Sequence, residues 1–480
     1  MAILLLLTVL SILAPITYAT HNLYFHPLAH HPGPLLWRAF RLPFTLSMIR
    51  GELPHRIRAL HEQYGDVVRV APNELSFIDP AAWRDIYTRG RDFVRPDEYK
   101  DQPPGKTAEN LIACSEAKHA QFRKILAPGF SERYAAEQEP YVQSYIDQLC
   151  ERLDERADVD VVEWINYVAF DIIGDLTWGS SFGCLDGLAY HPWIQTVSQF
   201  KAAIIVGALK FYPLVYAFLM AITPASALSE VMQMWKVTEE KVRRRVASGE
   251  TRPDLVGTMM QSSKEGEGMT GEEMEVNAMM IVAAGSESIT TVLTGVINHL
   301  LRNPRVHQTL VDILRGTFSS SEDITASSLK NVPYLNAVLN EGMRLCPTIP
   351  DAMRRSVPAG GATIAGRFVP GGMVVSVPPW ATYRTSRNFT RPNEFAPERW
   401  LDDVAFKNDV KTAFNPFSLG PHNCPGQNLA WLELRLILAN LLWRYDIYTP
   451  PGVELPEWES QGIWWFWDKK PTMVRFSRFR

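Results

Sequence analysis

The stretch Phe417-Ser418-Leu419-Gly420-Pro421-His422-Asn423-Cys424-Pro425-Gly426 lies near the C-terminus, directly ahead of a strongly apolar helical run from Leu429 to Trp443. Its cysteine stands between two glycines at the start of that run. Unpaired amide N–H groups and the helix dipole favour an anion there, so Cys424 is expected to be a thiolate. A thiolate in this setting serves either as a metal ligand or as a nucleophile, and the stretch alone leaves both readings open.

Composition excludes several classes of protein. Of the 480 residues, 46% are apolar and 21% are charged, which is typical of a globular protein with a large core. A net charge of −4 without a basic stripe indicates no nucleic-acid partner. The five cysteines are scattered, odd in number and without a CxxC pair, which argues against a disulfide framework and a zinc site and for a reducing compartment.

The N-terminus differs from the rest of the chain. Residues 1–20 carry no charged side chain, and about 20 helical residues span a bilayer core of roughly 30 Å. A cleaved signal peptide is the alternative, but a basic n-region is missing and Ile16 to Ala19 is a poor cleavage site. Because the basic residues follow this segment, the protein body is expected on the cytosolic side. We therefore expect an anchor at 1–20, a Pro-rich connector with the start of the catalytic unit at 21–50, and the catalytic domain at 51–480.

Hydrophobic periodicity predicts a mainly α protein with a minor β portion in one compact unit. Helices are predicted at Leu53–Tyr64, Glu116–Leu126, Met274–Leu301 and Val332–Leu345, with further helical patterns from Glu132 to Arg245. Strands are predicted at Val67–Val70, Leu75–Ile78, Thr363–Ala365 and Met373–Val377, and residues 96–110 form an irregular loop. The helix Met274–Leu301 is apolar nearly all round, so it is expected to run through the interior.

Three groups of residues have types and spacings that suggest chemistry. Glu341 and Arg344 share a helix face and could be a weak surface pair, but Arg399 offers a second guanidinium that could pin a loop to that helix. Residues 284–288, Ala-Gly-Ser-Glu-Ser, place a carboxylate inside the long helix, either as a satisfied packed group or as a proton relay beside a ligand groove. His119 and Arg123, four apart, could grip an anion.

Together these motifs resemble the cytochrome P450 superfamily. They are Phe-x-x-Gly-x-His-x-Cys-x-Gly at 417–426, Glu-x-x-Arg at 341–344, Pro-Glu-Arg-Trp at 397–400 and Ala-Gly-x-Glu-Ser at 284–288. The stretches 22–34 and 64–76 also look like fungal, membrane-anchored members of secondary metabolism. The resemblance covers nearly the whole chain and implies the cytochrome P450 fold preceded by one N-terminal transmembrane helix.

The resemblance implies a heme b whose iron takes its axial thiolate from Cys424, which makes this residue the metal ligand. Phe417 would pack beside the sulfur, and Gly426 would allow close approach of the haem. The family's structural triad, which supports the cysteine loop, is matched by Glu341, Arg344 and Arg399.

Two further groups of residues carry over from the resemblance. His119, Arg123 and Arg355 fall where the family binds the haem propionates, and His422 stands where an arginine usually does so. Glu287 and Ser288 match the acid–alcohol pair that delivers protons in catalysis, with Ala284 and Gly285 lining the oxygen groove.

This sequence departs from the family pattern at three positions, Ser288, His422 and Pro425. Ser288 replaces threonine and loses the methyl that holds the rotamer, so peroxide release is a hypothesis that the peroxide yield of Ser288→Thr tests. His422 replaces a permanent cation, so haem retention is expected to weaken as the pH rises. Pro425 has no N–H for the sulfur and should lower the iron potential, unless proline merely suits the first helical position; redox titration of Pro425→Ile separates the two.

The resemblance implies a monooxygenase that uses O2 to hydroxylate or otherwise oxidise a hydrophobic small molecule, such as a terpenoid, polyketide or indole-alkaloid intermediate. The segments expected to face this substrate comprise 97–113, 200–222, Met280, Ala283 and 348–351, and apart from the polar first segment they are largely apolar. Electrons from NADPH would arrive through NADPH–cytochrome P450 reductase, with cytochrome b5 as a second candidate donor. The expected location is the endoplasmic reticulum membrane, single-pass, with a cytosolic catalytic domain.

Two rival functions remain open on the sequence. One is a haem-thiolate enzyme that catalyses isomerisation, dehydration or ring formation without inserting oxygen, against which Glu287 and Ser288 argue. The other is a haem-binding protein without turnover.

Overall fold

The computed structural model describes residues 2–88, 90, 92–97, 100, 106–189, 200–249, 252–264 and 268–479. Most of them are helical. The helices, in chain order, are Ala2–Thr20, Leu35–Ala39, Leu42–Ile49, Leu53–Tyr64, Ala81–Tyr87, Glu116–Leu126, Glu132–Asp154, Val161–Trp178, Cys184–Gly187, Phe200–Ala208, Pro213–Ile222, Ala225–Ser248, Leu255–Lys264, Gly271–Arg302, Pro304–Thr317, Ala326–Lys330, Pro333–Leu345, Pro379–Tyr383 and Gln427–Arg444.

The helix Gly271–Arg302, here called the central helix, organises the core. It begins at a capping box in which Thr270 and Glu273 each bond the other's backbone N–H, at 3.2 and 2.8 Å. It packs against Val161–Trp178, Pro333–Leu345 and the helix Gln427–Arg444 that follows the cysteine stretch. Among the described residues it is the helix that length and composition would allow to span a membrane, but 72% of its apolar window is buried inside the protein.

The β portion consists of small sheets at the edge of the helical body. A four-stranded sheet has the order β1 (Val67–Ala71), β2 (Glu74–Phe77), β7 (Val374–Ser376), β4 (Arg355–Ser356), with β2 and β7 parallel. A three-stranded sheet has the order β3 (Asp158–Asp160), β11 (Met473–Arg478), β8 (Tyr445–Tyr448). Two hairpins are formed by β5 (Ala362–Ile364) with β6 (Arg367–Val369) and by β9 (Ile463–Trp464) with β10 (Phe466–Trp467).

The mainly α prediction with a minor β portion is confirmed, and two predicted helices, Leu53–Tyr64 and Glu116–Leu126, have the predicted bounds. The sequence predicts mainly helical patterns from Glu132 to Arg245, and the structure interrupts them at β3, because Asp158–Asp160 pairs with β11 from the far end of the chain. Within that stretch, residues 190–199 lie outside the described part of the chain, as do 98–99 and 101–105 in the predicted irregular loop.

The N-terminal segment forms the helix Ala2–Thr20, in which Ile12, Leu13 and Ile16 are more than half exposed. It runs on into a π-helical turn at His21–Phe25, so the connector begins with helix and becomes extended only at His26, ahead of Pro27. The helices Leu35–Ala39 and Leu42–Ile49 follow in the same connector. Whether Ala2–Thr20 spans a membrane stays a prediction.

The predicted network around Glu341 is confirmed and is wholly buried. Arg344 donates two hydrogen bonds of 2.8 Å to the Glu341 carboxylate, and Arg399 donates a third of 3.0 Å. Trp400 Nε1 and the backbone N–H of Ala396 also donate to it, at 3.0 and 2.9 Å. Burial raises the pKa of Glu341, but the two arginines hold it below its usual value. The weak surface pair that the spacing alone allowed is therefore excluded.

Removing one partner of this network is expected to destabilise the fold strongly, because it leaves buried charges without compensation. We expect Arg399→Met to lower the free energy of unfolding by about 3–5 kcal/mol. The control is Arg56→Met, since Arg56 pairs with Glu52 in an exposed i,i+4 pair whose loss costs about 0.5 kcal/mol or less. Denaturant unfolding followed by tryptophan fluorescence measures both, and equal effects would contradict the structural role of Arg399.

Candidate active site

The cysteine loop, residues 417–426, is closed on itself by a backbone hydrogen bond of 2.8 Å from Cys424 N–H to the carbonyl oxygen of Phe417. Gly420 has φ +70°, and a Cβ at this position would lie 2.0 Å from the carbonyl oxygen of Tyr87. Only glycine satisfies both constraints. The loop is therefore held against the end of the helix Ala81–Tyr87, while the Cys424 side chain remains accessible.

The electrostatics of Cys424 correct one expectation. Burial among protein atoms raises the pKa of the Cys424 thiol, against the lowering effect of the Gly426 N–H and the positive charge of Arg123. The helix begins only at Gln427, so its dipole does not outweigh the cost of burial. The expected thiolate is thus not favoured by the protein alone. The side chain is accessible, and a bound metal cation would favour the thiolate.

Pro425 lies in the turn ahead of the helix Gln427–Arg444, so it does not occupy the first helical position. The alternative explanation, that proline merely suits the first position of the helix, therefore does not hold. The hydrogen bond that lowers the pKa of the sulfur comes from the backbone of Gly426, one residue further on.

The predicted anion-binding residues do converge beside the loop. Arg123 donates to the carbonyl oxygen and to Oδ1 of Asn423, at 2.8 and 2.7 Å. The rings of His119 and His422 lie 3.9 Å apart between centroids. Arg355 is buried in β4 and donates to the carbonyl oxygen of Arg354 at 2.8 Å, and its charge acts on His422.

His422 is not the titrating cation that the sequence predicted. Burial and the charges of Arg95, Arg355 and Arg123 lower its pKa to about 3. The hydrogen bonds agree with a neutral ring that carries its proton on Nε2, because Arg95 Nη2 lies 3.1 Å from Nδ1 and Glu116 Oε2 lies 2.8 Å from Nε2. His422 therefore has no charge to lose as the pH rises above neutral, and the prediction that haem retention weakens with pH for this reason is corrected.

The residues of this cluster could in principle bind either a metal cation or an anion. Glu116, His119 and His422 bring ligand atoms within 4.8 Å of one another, as a divalent cation would need. However, burial, the neighbouring His422 and the charges of Arg95 and Arg123 lower the pKa of His119 to about 3, and the charge of Arg355 acts on His422 as well. A positive field with one exposed carboxylate suits an anionic group better than a cation. The residues present thus fit the carboxylates of a haem placed over the cysteine.

The central helix is open on one face near its middle. Ala284, Gly285, Glu287 and Ser288 are half-buried within a stretch that is otherwise buried. Ser288 donates its hydroxyl proton to the carbonyl oxygen of Ala284 at 2.6 Å, so the helix backbone holds its rotamer in place of the missing methyl. A Cβ on Gly285 would lie 2.8 Å from Ile173, which supports the packing explanation for this glycine.

Glu287 is paired with a residue from the other end of the chain. Lys469 Nζ lies 2.6 Å from Glu287 Oε2 and 3.5 Å from Thr291 Oγ1, and both members of the ion pair are largely buried. Lys469 directly follows the β9–β10 hairpin region. A proton relay through Glu287 would therefore have to operate beside a fixed ammonium group.

A cleft of about 100 Å³ lies next to the basic cluster. Its lining includes residues from the segments predicted to face the substrate, namely Ile112, Ile204, Gly207, Ala208, Phe211 and Asp351. Arg95 and Arg355 also line the cleft, whereas Met280, Ala283, Cys424, Glu287 and Ser288 are not among its lining residues. The cleft is thus an approach to the cluster and not the space over the cysteine itself.

Sequence reasoning missed Arg95, Lys469 and the wall residues Met48, Ile463 and Trp465. Trp465 has φ +69° between β9 and β10, and no local sequence pattern indicates this conformation. No motif includes Arg95, which precedes Pro96, or Lys469, which follows Asp468. None of these residues carries a spacing signal, because each acquires its neighbours only in the fold.

Comparison with known proteins agrees with this geometry. A family model described as Cytochrome P450 matches residues 30–476. The chain is 41% identical to averantin hydroxylase of Dothistroma septosporum over 96% of this chain and 88% of that protein. It is 40% identical to cytochrome P450 monooxygenase stcF of Emericella nidulans over 98% of each chain. The crystal structure of the cytochrome P450DA heme domain superposes with a TM-score of 0.77 at 19% identity, covering 94% of this chain and 98% of that one, which shows the shared fold.

The neutral state of His422 generates a prediction about pH. The arginines of the cluster keep their charge from about pH 6 to 9, so haem content is expected to stay constant over this range. The ratio of haem content between His422→Arg and the wild type should likewise not depend on pH. Haem absorbance per mole of protein after gel filtration at each pH measures the haem content. A ratio that rises with pH would show that His422 does lose a charge in this range and would contradict the prediction.

Proposed function

Because this chain belongs to the cytochrome P450 family and is an oxidoreductase of the monooxygenase type, we propose that it hydroxylates a hydrophobic intermediate of fungal secondary metabolism. In this proposal the sulfur of Cys424 would hold the heme b iron. The observation that carries it is the cysteine loop, in which an accessible sulfur lies near a cluster of arginines.

The haem would be held by side chains of this protein that lie beside the cysteine loop. Arg123, Arg355, His119 and His422 would bind its carboxylates, and Phe417 and Gly426 would form the floor around the sulfur. Phe417 lies 6.2 Å from Trp431 between ring centroids, which fixes its ring from behind. When bound, the thiolate-ligated haem supplies the activation of O2 for insertion into a C–H bond.

Glu287 and Ser288 would move the protons that the reaction consumes. Ser288 has to turn its hydroxyl away from the carbonyl of Ala284 to donate into the active site. Lys469 holds the carboxylate of Glu287 in one position until that pair opens. Proton transfer then depends on two short hydrogen bonds that the resting protein makes and that turnover must break.

The substrate proposal rests on the apolar character of the approach cleft. Ile204, Ala208, Phe211, Ile463 and Trp465 present aliphatic and aromatic surface along it. Such a wall suits a terpenoid, polyketide or indole-alkaloid skeleton, and the similarity to a protein named averantin hydroxylase supports hydroxylation as the reaction. Electrons would come from NADPH through NADPH–cytochrome P450 reductase or through cytochrome b5.

Membrane attachment is proposed from two apolar surfaces. The uncharged helix Ala2–Thr20 would be the single anchor, in the endoplasmic reticulum membrane, with the catalytic domain on the cytosolic side. The helix Pro213–Ile222 has exposed apolar side chains, with Leu214 87% and Phe218 66% exposed. Such a contiguous apolar surface is typical of a membrane or protein contact, and a membrane would also deliver a hydrophobic substrate.

The enzymatic proposal predicts a thiolate-ligated haem and oxygen-dependent turnover. With a reductase, NADPH and O2, mass spectrometry should detect a hydroxylated product from a panel of hydrophobic pathway intermediates. Cys424→Ser should abolish the carbon-monoxide difference band of thiolate-ligated haem, whereas Cys346→Ala, a buried cysteine of the core, should retain it. Glu287→Gln should slow product formation by about 10²-fold or more. Product formed without NADPH and O2 would instead favour the non-oxygenating alternative.

The membrane proposal predicts how the protein fractionates. Full-length protein should resist carbonate extraction from microsomes, whereas a chain lacking residues 2–20 should be released. In sealed microsomes, added protease should digest the catalytic domain without detergent. A shortened chain carrying Leu214→Ser and Phe218→Ser should bind lipid vesicles more weakly than the shortened chain itself. Retention of the shortened chain after carbonate treatment would refute the single anchor.

A further inference from the structure

The β9–β10 hairpin connects the approach cleft to the acid of the central helix. Trp465, between the two strands, lines the cleft, and Lys469, four residues further on, pairs with Glu287 at 2.6 Å. The Lys469 side chain is 6% exposed, and its ammonium group also lies 3.5 Å from Thr291 Oγ1, one turn along the same helix. A wall of the cleft and the partner of the acid thus belong to one short segment of chain.

The approach cleft is small for the class of substrate proposed above. It measures about 100 Å³, whereas sites for small organic molecules usually measure about 300–1,000 Å³. A skeleton of three or four rings enters such a cleft only when wall residues move apart. Occupation of the cleft is therefore coupled to the displacement of at least one of its walls.

The wall formed by residues 351–355 is firmly held. Arg354 donates to the fully buried carboxylate of Glu74 at 2.6 Å and to the carboxylate of Asp351 at 2.9 and 3.2 Å. β4, which begins at Arg355 in the same wall, pairs with β7 in the four-stranded sheet. Moving this wall would separate buried charges from their partners, which is costly.

The wall that carries Trp465 is held less firmly. Its strands have two residues each, and Trp465 has φ +69°, a conformation that a large side chain rarely adopts, so displacement of the turn releases strain. Lys201 connects the hairpin to the helix Phe200–Ala208, since its ammonium group lies 3.7 Å from the ring centroid of Trp464 and 3.2 Å from Asp468. Lys201 and Asp468 are about half exposed, so their ion pair contributes little.

Trp467 is the fixed point between the turn and Lys469. Its indole N–H donates to the carbonyl oxygen of Pro347 at 2.8 Å, and its ring packs against Trp380 and Trp458, with centroids 5.0 and 5.5 Å away. Because Trp467 is anchored, a displaced turn at Trp465 rotates the hairpin about it. Lys469 lies on the other side of this pivot, so it moves when Trp465 moves.

We propose that Lys469 is a positioning residue for Glu287, and that substrate in the approach cleft opens the Lys469–Glu287 pair by displacing Trp465. The inference rests on the function proposed above, because it takes Glu287 as the acid that moves protons. A ligand shifts an equilibrium by binding one state better than the other, and a large occupant fits only the state with Trp465 displaced. Glu287 is thus released for proton transfer when the cleft is filled, and Trp465 determines which substrates release it.

A purely structural role for Lys469 makes a different prediction. The pair would then only fasten the C-terminal region to the central helix, and it would stay closed whatever fills the cleft. Removing Lys469 would lower stability and would not compensate for a change at Trp465.

The reactivity of the Lys469 amine measures the state of the pair. Brief acetylation of full-length holoprotein with acetic anhydride, followed by mass spectrometry of its peptides, reports the labelling of each lysine. Ala208 lines the cleft, and Ala208→Phe fills it from the wall. This variant should raise the labelling of Lys469 about 5- to 10-fold, because labelling follows the fraction of molecules in which the pair is open. Labelling as slow as in the wild type would overturn the proposal.

Two further variants calibrate this measurement. Glu287→Gln removes the ion pair and should give the labelling of an open Lys469 directly. In Ala208→Phe/Trp465→Ala the lost space is restored, so labelling should return to within about twofold of the wild type. A double variant that reacts as fast as Ala208→Phe would show that Trp465 does not transmit the change. Ile204→Trp fills the cleft from another point of its lining and decides the question if Ala208→Phe does not fold.

Lys106 is a matched control for general loosening of the fold. Its side chain is 9% exposed and pairs with Glu239 at 2.6 Å and with Glu275 at 3.0 Å, near the start of the central helix. Filling the cleft should leave the labelling of Lys106 unchanged. An equal rise at Lys106 and Lys469 would mean that the substitution loosens the protein as a whole, and the proposal would fail.

Turnover gives an independent readout. With a substrate that the wild type hydroxylates, Trp465→Ala should lower kcat about tenfold or more, because filling the larger cleft no longer opens the pair. Trp465→Ala/Lys469→Met should restore kcat to within about threefold, since the pair that must open is gone. Absence of this rescue would support the structural role. A wild type without product from any substrate, but with Lys469 responding to Ala208→Phe, refutes the proposed function alone, whereas product formation with unresponsive Lys469 refutes this inference alone.

Discussion

The buried carboxylate of Glu341 is the interaction on which the rest of the site depends. The network reaches beyond this carboxylate, because Arg344 also donates to the carbonyl oxygens of Tyr383, Pro392 and Glu394, at 2.8, 2.6 and 3.0 Å. The hydroxyl oxygen of Tyr383 in turn accepts from the backbone N–H of Asn415 at 3.0 Å, directly ahead of the cysteine loop. A helix of the core therefore positions a loop whose own regular structure is one 3₁₀ turn at Gly420–His422. The buried charges of Glu341 and its arginines are tolerated because they are paired and hydrogen-bonded to one another and to the backbone.

The cysteine loop sits in a positive field that its own residues do not generate. Arg123 comes from the helix Glu116–Leu126, Arg355 from β4 and Arg95 from an irregular segment. Three separate elements thus surround the two imidazole rings with permanent charge. The rings stay neutral as a result, and they serve as hydrogen-bonding groups between the arginines. This arrangement suits an anionic ligand and makes recognition insensitive to modest changes in pH.

The acid–alcohol pair in the central helix is similarly constrained by distant residues. Lys469 joins the C-terminal region to Glu287, and the β9–β10 hairpin just before it carries Trp465 into the approach cleft. The cleft wall and the acid are therefore linked by a few residues of backbone. Shape selection along the cleft and proton handling at the helix are properties of one continuous segment of the chain.

By itself, the sequence determined the elements whose signals are local. Periodicity placed Leu53–Tyr64 and Glu116–Leu126 at their observed bounds, and it marked the central helix as interior because its residues are apolar nearly all round. Motif spacing suggested Glu341, Arg344 and Arg399 as one network, which the structure forms, and the family resemblance grouped His119, Arg123, Arg355 and His422, which lie beside the cysteine loop.

Only the tertiary structure decided which charges these residues carry and which partners they meet. Protonation depends on burial and on groups far along the chain, so the neutral state of His422 and the raised pKa of the Cys424 thiol could not be read from neighbouring residues. Arg95, Lys469 and Trp465 have no periodic or motif signal, because their roles arise from contacts with residues more than a hundred positions away or from a turn that the fold imposes.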